Sequence, residues 1–305
     1  MFDRRLPRFL DLPDLPAQVD PRVVVLPVPW ERSTSYLRGT GAGPEALLLA
    51  SAQVEPYDEE LGTETWRVGV ATLPPLQVAR DDPEQVLASI DAAVSGIIGQ
   101  RAVPVLLGGE HTLSVGGVAA AARVYKDLNV LQIDAHADLR DSFLGDRWSH
   151  ACTMARVREI CPHVGVGVRA FSREEADLVR AAGWPMWSPE RCSSPGWVDE
   201  IIESLSEHVY VSVDLDGLDP AVVPAVGTPE PNGLSWIQCL ELLRSCAARR
   251  TIVAADIVEL CPSQDGAARS SYVAARLTYR LVGYIVTRGG QESCPEQPGV
   301  LSPDH

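Results

Sequence analysis

The stretch 130–141, Val-Leu-Gln-Ile-Asp-Ala-His-Ala-Asp-Leu-Arg-Asp, constrains this chain more than any other. Its first four residues are a short apolar run suited to a buried strand, and a polar series follows at once. Asp134, His136 and Asp138 are spaced by two, so continued extended backbone would project all three from one face. The run 209–213 ends in the same manner, with Asp214 and Asp216 inside Ser-Val-Asp-Leu-Asp-Gly-Leu-Asp-Pro at 212–220. A third run, 103–107, ends in Gly-Gly-Glu-His-Thr at 108–112, where the glycine pair permits a tight turn and leaves His111 near the start of a helix. Three strand ends therefore carry oxygen and nitrogen donors. Such groups meet only if the strands lie side by side and point the same way, because open α/β sheets bind ligands at the carboxyl ends of their strands.

The rest of the chain supports that arrangement. Strands are expected at 22–26, 67–71, 103–107, 130–133, 163–168, 209–213 and 251–258. Helices are expected at 44–54, 83–100, from 112 to Tyr125, at 149–160, from the cap Ser172 to Ala182, and at 196–206, 235–249 and 267–286. Strands alternating with helices predict a three-layer α/β/α sandwich around a mainly parallel sheet. No linker composition interrupts the chain, so a single domain over 1–305 is expected. The proline-rich segment 1–21 reads as an arm on the surface or across a neighbouring subunit, 183–194 as turn-rich, and 287–305 as a tail that frays. The loop 27–43, rich in Gly, Ser and Thr with Trp30 and Tyr36, follows a strand end and is a candidate for ligand contact.

Carboxylates spaced this closely resist burial unless a cation compensates them, and no Lys or Arg lies within either spacing. Solvated loop acids are the plain alternative, but three of the six histidines (His111, His136, His150) fall inside or beside these motifs. The net charge of −15 disfavours nucleic acid and anionic membranes and favours cationic ligands. The seven cysteines form no CxxC pair and read as buried thiols in a reducing compartment. No run approaches the ~18 apolar residues of a membrane span. A cytoplasmic location is expected.

His111, Asp134, His136, Asp138, Asp214 and Asp216 are too many ligands for one zinc ion and suit two cations sharing carboxylates. Hard carboxylates mixed with imidazole favour a Mn2+-like ion. Two such ions lower the pKa of water enough to supply hydroxide, and four aspartates with that hydroxide outweigh them by about one negative charge. The cavity is thus equipped to hydrolyse a cationic group. Asp-x-Asp-Gly also suggests a calcium loop, but an EF-hand needs its Gly at position six and a Glu at twelve.

Gly-Gly-Glu-His-Thr at 108–112, Asp-Ala-His-Ala-Asp at 134–138, the acidic run at 212–220, Gly-Thr-Pro at 227–229 and Asp-Ile-Val-Glu at 256–259 together resemble the ureohydrolase family of arginases and agmatinases, across nearly the whole chain and in the family's order. The resemblance implies the arginase-like sandwich, homotrimers or homohexamers, and two Mn2+ per subunit whose bridging hydroxide splits a guanidinium into urea and an amine. It puts His111 and Asp138 on one ion, His136 and Asp216 on the other, and Asp134 and Asp214 on both. Asp138, His150 and Glu259 are then the expected catalytic groups, with Glu259 gripping the guanidinium and His150 passing a proton to the leaving amine. Thr228 is expected to line the site, and Glu175 to meet the substrate unless it merely caps its helix. Asp141, Asp146 and Trp148 sit on the adjacent loop, where plain solvation is the simpler reading.

The arginase branch carries an acid three positions after an Arg where this chain has Ser172, in Gly-Val-Arg-Ala-Phe-Ser at 167–172. That loss disfavours arginine, because a neutral hydroxyl cannot offset an ammonium. Agmatine, cleaved to putrescine and urea, is the expected substrate. N1-aminopropylagmatine, guanidinobutyrate and arginine are alternatives, and a non-catalytic metal-binding scaffold is the rival of another class. The histone-deacetylase branch shares the fold but uses one zinc, which the two-metal ligand set disfavours.

Overall fold

The computed structural model describes residues 7–78 and 82–294. Eight strands form one sheet: β1 (Val23–Val28), β2 (Val70–Thr72), β3 (Val103–Gly108), β4 (Asn129–Ile133), β5 (His163–Val166), β6 (Met186–Trp187), β7 (His208–Asp214) and β8 (Thr251–Val258). Every strand pairing in the sheet is parallel, and the order is β2-β1-β3-β8-β7-β4-β5-β6. The central strands β3, β4, β7 and β8 are apolar almost throughout because helices cover both of their faces. Helices α1 (Gly43–Ser51), α6 (Trp197–Glu203), α7 (Trp236–Arg249) and α8 (Ala267–Thr287) contribute to the core on one face. On the other lie α2 (Pro83–Gly99), α3 (Ser114–Val124), α4 (Thr153–Arg158) and α5 (Arg173–Ala182). The expected three layers are present.

Local chemistry sets the helix starts. Asp82 accepts from Gln85 N at 3.1 Å to cap α2, and Pro83 needs no N–H at that position. Ser172 and Ser235 open α5 and α7 with capping boxes completed by Glu175 and Gln238.

Several expectations change. Within the turn-rich stretch 183–194 the structure places β6, whose two residues are too few to show a period. Strand β5 stops at Val166 rather than 168, because Gly167 turns at φ +90° and hands its N–H to Trp187 O at 2.8 Å. The expected strand at 67–71 is instead a single 3-10 turn at Thr65–Val68 followed by β2. The helix expected at 149–160 opens as a 3-10 turn, His150–Cys152.

At the amino end, Phe9 and Leu10 are buried against the chain's own body: Leu10 N donates to Ser51 Oγ at 2.8 Å, and the Phe9 ring lies 6.4 Å from that of Tyr279. Residues 1–6 of the expected arm lie outside the described residues. At the other end Thr287 is buried and its carbonyl accepts from Glu292 N at 2.9 Å, while 295–305, the remainder of the tail expected to fray, also lie outside the described residues. All seven cysteines are free thiols. Among the described residues no helix is long and apolar enough to cross a membrane.

Candidate metal centre and substrate site

The carboxyl ends of β3, β8, β7 and β4 lie side by side in the middle of the sheet, so the three donor-bearing segments meet. His111 Nδ1 stands 3.1 Å from Asp134 Oδ2, 3.0 Å from Asp138 Oδ2 and 3.5 Å from Asp214 Oδ2. His136 Nδ1 stands 3.1 Å from Asp216 Oδ2 and 3.6 Å from Asp134 Oδ1. The two oxygens of Asp134 therefore face different histidines. His111, Asp134 and Asp138 bring ligand atoms within 4.8 Å of one another, and so do Asp134, His136 and Asp216. Asp214 approaches His111, and its other oxygen accepts from Asp216 N at 3.0 Å.

The backbone does not stay extended through the central motif. His136 still bridges to Ala170, but Asp138 sits at φ +54°, so it reaches the cluster from a left-handed turn rather than from a shared strand face. A non-glycine residue held there costs of order 1–3 kcal/mol, which the surrounding contacts must offset.

His111 is oriented from behind. Its Nε2 lies 2.9 Å from Ser212 Oγ, and Ser212 Oγ donates to Asp256 Oδ1 at 2.8 Å. Tyr210 OH donates to the other Asp256 oxygen at 2.7 Å. With its one proton given to the carboxylate, Ser212 can only accept from Nε2–H, which leaves Nδ1 with a bare lone pair. That Nδ1 is buried and, among the described residues, makes no hydrogen bond of its own although the Asp134 and Asp138 oxygens stand 3.0–3.1 Å away. A buried, unpartnered imidazole nitrogen facing three carboxylates is the donor set a cation needs.

The electrostatics agree. Burial and then the charge of Asp134 push the Asp138 carboxyl up to about 6. Burial, Asp216 and Asp134 likewise hold Asp214 well above the usual carboxylate range. For His136, burial works against the imidazolium, but Asp216 and Asp134 prevail and push it up to about 12. The cluster thus carries more acid than its histidines can balance. Cations between these groups would replace the shared protons and let every carboxylate ionise.

Glu259 follows β8 at φ +64°, a second strained residue in the site. Its Oε1 accepts from His111 N at 2.8 Å and lies 3.5 Å from His150 Nδ1, whereas Oε2 is buried and has no hydrogen-bond partner among the described residues. Gly227 keeps that oxygen open, since a Cβ there would stand 3.1 Å from it. His150 is buried, which disfavours its charged form, but the Glu259 carboxylate beside it raises it to about 9. Its Nε2 meets Ser35 Oγ at 3.0 Å, and its backbone N donates to Ser33 Oγ at 2.8 Å.

The loop 27–43 therefore does reach the site, and Glu110 holds it there. That buried carboxylate accepts from Arg32 N at 2.6 Å, Ser33 N at 2.5 Å and Ser33 Oγ at 2.9 Å. Gly109 permits the approach, because a Cβ would fall 2.0 Å from Trp30 O. Thr228 Oγ1 donates to Asp216 Oδ2 at 3.0 Å, so it braces a candidate ligand. Glu175 completes its capping box and accepts from Leu139 N at 2.9 Å, and both oxygens are thereby committed to backbone even though it lines the neighbouring cavity. Asp141 pairs with Arg156 at 2.7 Å and Asp146 with Arg32 at 2.5 Å, and Trp148 lies under Arg147. Sequence reasoning missed Glu110, Ser212 and Asp256. Asp256 left a signal, since an acid in the middle of a buried strand must have partners.

Comparison with known proteins agrees with this geometry. A family model described as the arginase family matches residues 21–283. An N(1)-aminopropylagmatine ureohydrolase of Synechocystis is 38% identical over 91% of this chain and 93% of its own. An agmatinase of Pyrococcus horikoshii is 32% identical over 92% and 96%. The crystal structure of an agmatine ureohydrolase of Thermoplasma volcanium superposes with a TM-score of 0.84 at 31% identity, covering 93% of this chain and 95% of that one. The parallel eight-stranded sheet, the donor set at its centre and these likenesses place the chain in the arginase family, as a ureohydrolase acting on guanidino C–N bonds.

Proposed function

We propose that this chain holds two Mn2+ ions and releases urea from a guanidino amine whose far end is cationic. The observation that carries the metal reading is the pair of donor groups sharing Asp134, with the unpartnered His111 Nδ1 facing one of them. His111, Asp134, Asp138 and Asp214 would hold one ion, and Asp134, His136 and Asp216 the other, with Asp214 the second bridging candidate. When bound, the pair supplies a water acidic enough to attack near neutral pH.

The chain's own residues do the rest. The free oxygen of Glu259 accepts a charge-assisted hydrogen bond from the planar guanidinium, and because the other oxygen is held by His111 N the carboxylate is fixed and positions the carbon. His150, in contact with Glu259 and Ser35, is the group that holds a proton for the leaving amine. Ser33 and Ser35, carried on the loop that Glu110 clamps, set the position of His150.

Agmatine satisfies this reading, giving putrescine and urea. The 38% likeness to the aminopropylagmatine ureohydrolases of Synechocystis and Thermus thermophilus, against 32% to the Pyrococcus horikoshii agmatinase and 29% to the aminopropylagmatine ureohydrolase of Thermococcus kodakarensis, leans toward the N1-aminopropyl derivative. Arginine is disfavoured because the Ser172 hydroxyl is engaged as the cap of α5, accepting from Glu175 N at 3.2 Å. The test is kcat/KM for aminopropylagmatine, agmatine, guanidinobutyrate and arginine with manganese loaded. The two cationic tails should lead, and arginine in first place would overturn the substrate reading. A homotrimer or homohexamer in the cytoplasm belongs to the same proposal, and light scattering checks the assembly.

A further inference from the structure

A cavity of about 250 Å3 opens beside the donor cluster, lined among others by His136, Asp138, Arg140, Phe171, Glu175 and Glu230. Ala151, next to His150, closes another side. His136 and Asp138 belong both to the cluster and to the cavity wall, so a molecule whose guanidinium sits at Glu259 would have room for its other end here.

Its three acids are not equivalent. Asp138 faces His111 at 3.0 Å. Glu175 gives Oε1 to Leu139 N and Oε2 to Ser172 N, and Arg140 Nε lies 3.7 Å from Oε2. Arg140 is itself laid over the Phe143 ring, so that cation and Glu175 largely neutralise each other. Glu230 differs. Its backbone carbonyl accepts from Arg169 Nη2 at 2.6 Å, while its carboxylate takes no hydrogen bond and forms no ion pair among the described residues. Arg169 spends its other donors on the carbonyls of Gly167, Asp216, Gly217 and Pro231, so it hydrogen-bonds to no carboxylate, although its charge acts through space on Asp216, Asp134 and Glu230. Once cations occupy the cluster, Glu230 is the acid of this cavity whose carboxylate oxygens are free to accept a hydrogen bond, with Arg169 the nearby opposing charge.

We propose that Glu230 selects the substrate's tail: its carboxylate receives an ammonium at the far end and repels a carboxylate there. This rests on the ureohydrolase reading, which puts the guanidinium at Glu259. A charge-assisted hydrogen bond made equally in the bound and the reacting state sets KM and leaves kcat alone.

The test uses the manganese-loaded protein and its Glu230→Gln and Glu230→Lys variants, with folding checked by circular dichroism. Glu230→Gln should raise KM for agmatine and aminopropylagmatine about tenfold to a hundredfold with kcat within about twofold. Glu230→Lys should lower kcat/KM for both further and raise it for guanidinobutyrate. Equal changes for cationic and anionic tails would overturn the assignment while leaving the ureohydrolase reading intact. Calorimetric binding of 1,4-diaminobutane needs no turnover and separates the two claims. If the parent released no urea from any guanidine, the function would fall, yet loss of diamine binding in Glu230→Gln would still support the residue's role and unchanged binding would refute it.

Discussion

Replacing Asp256 by Asn tests whether the relay behind His111 sets its tautomer. The substitution keeps the shape of a buried side chain that holds Ser212 Oγ at 2.8 Å and Tyr210 OH at 2.7 Å. Tyr210 still needs an acceptor, so the amide oxygen turns to it and the NH2 group faces Ser212. Ser212 must then accept from the amide and direct its own proton at His111 Nε2, 2.9 Å away. That moves the imidazole proton to Nδ1, the atom that faces Asp134 and Asp138. A cation can bind there only after the relay is broken, leaving a buried donor or acceptor unmade at a cost of about 1–3 kcal/mol. Every 1.4 kcal/mol is tenfold, so manganese affinity should fall about tenfold to a hundredfold, the range of such supporting partners around metal sites. A chelator-buffered manganese titration of the Asp256→Asn variant against the parent protein reads the change. Unchanged affinity in Asp256→Asn, with the fold intact, would refute the tautomer argument.

Asp134→Ala should lose more manganese than His111→Ala, because Asp134 belongs to both donor groups and His111 to one; equal metal content by mass spectrometry would contradict the sharing. Gly227→Ala would put a methyl 3.1 Å from Glu259 Oε2, displacing the carboxylate by a few tenths of an ångström, and should cost kcat/KM about tenfold with manganese content unchanged. His163, whose imidazole burial and then Arg158 hold down at about 3, is charged in the unfolded chain below 6.5 and stays neutral in the fold. The native state therefore binds fewer protons between those values, so the stability His163 contributes is complete above the upper one and is lost as pH falls, by up to about 1.4 kcal/mol per unit. Urea unfolding of His163→Gln between about pH 6 and 4.5 should show a shallower pH slope than the parent, and equal slopes would contradict the burial argument.

The strand ends were legible because their information is local. Apolar runs ending in Asp134, Asp214 and Gly108 state both the buried strand and the donor within a few residues, and parallel pairing then brings the ends together without further instruction. Asp138 lies beside His111 and Asp134, but the left-handed turn that brings it there cannot be read from a spacing of two. Strand β6 was invisible because two residues carry no period, and its place comes from pairing with β5. Glu110 and Asp256 escaped assignment because their partners lie far away in sequence: Arg32 and Ser33 for one, Tyr210 and Ser212 for the other. Glu175 shows the converse. Its capping box was readable three residues from Ser172, whereas its bond to Leu139 required the fold.

Urea release titrated against bound manganese tests the central claim most directly. Metal-stripped protein, given aminopropylagmatine or agmatine, should be inactive and should reach full activity only when manganese fills both donor groups, at two ions per chain. Full activity without metal, or no urea from any guanidino amine with both ions bound, would contradict it.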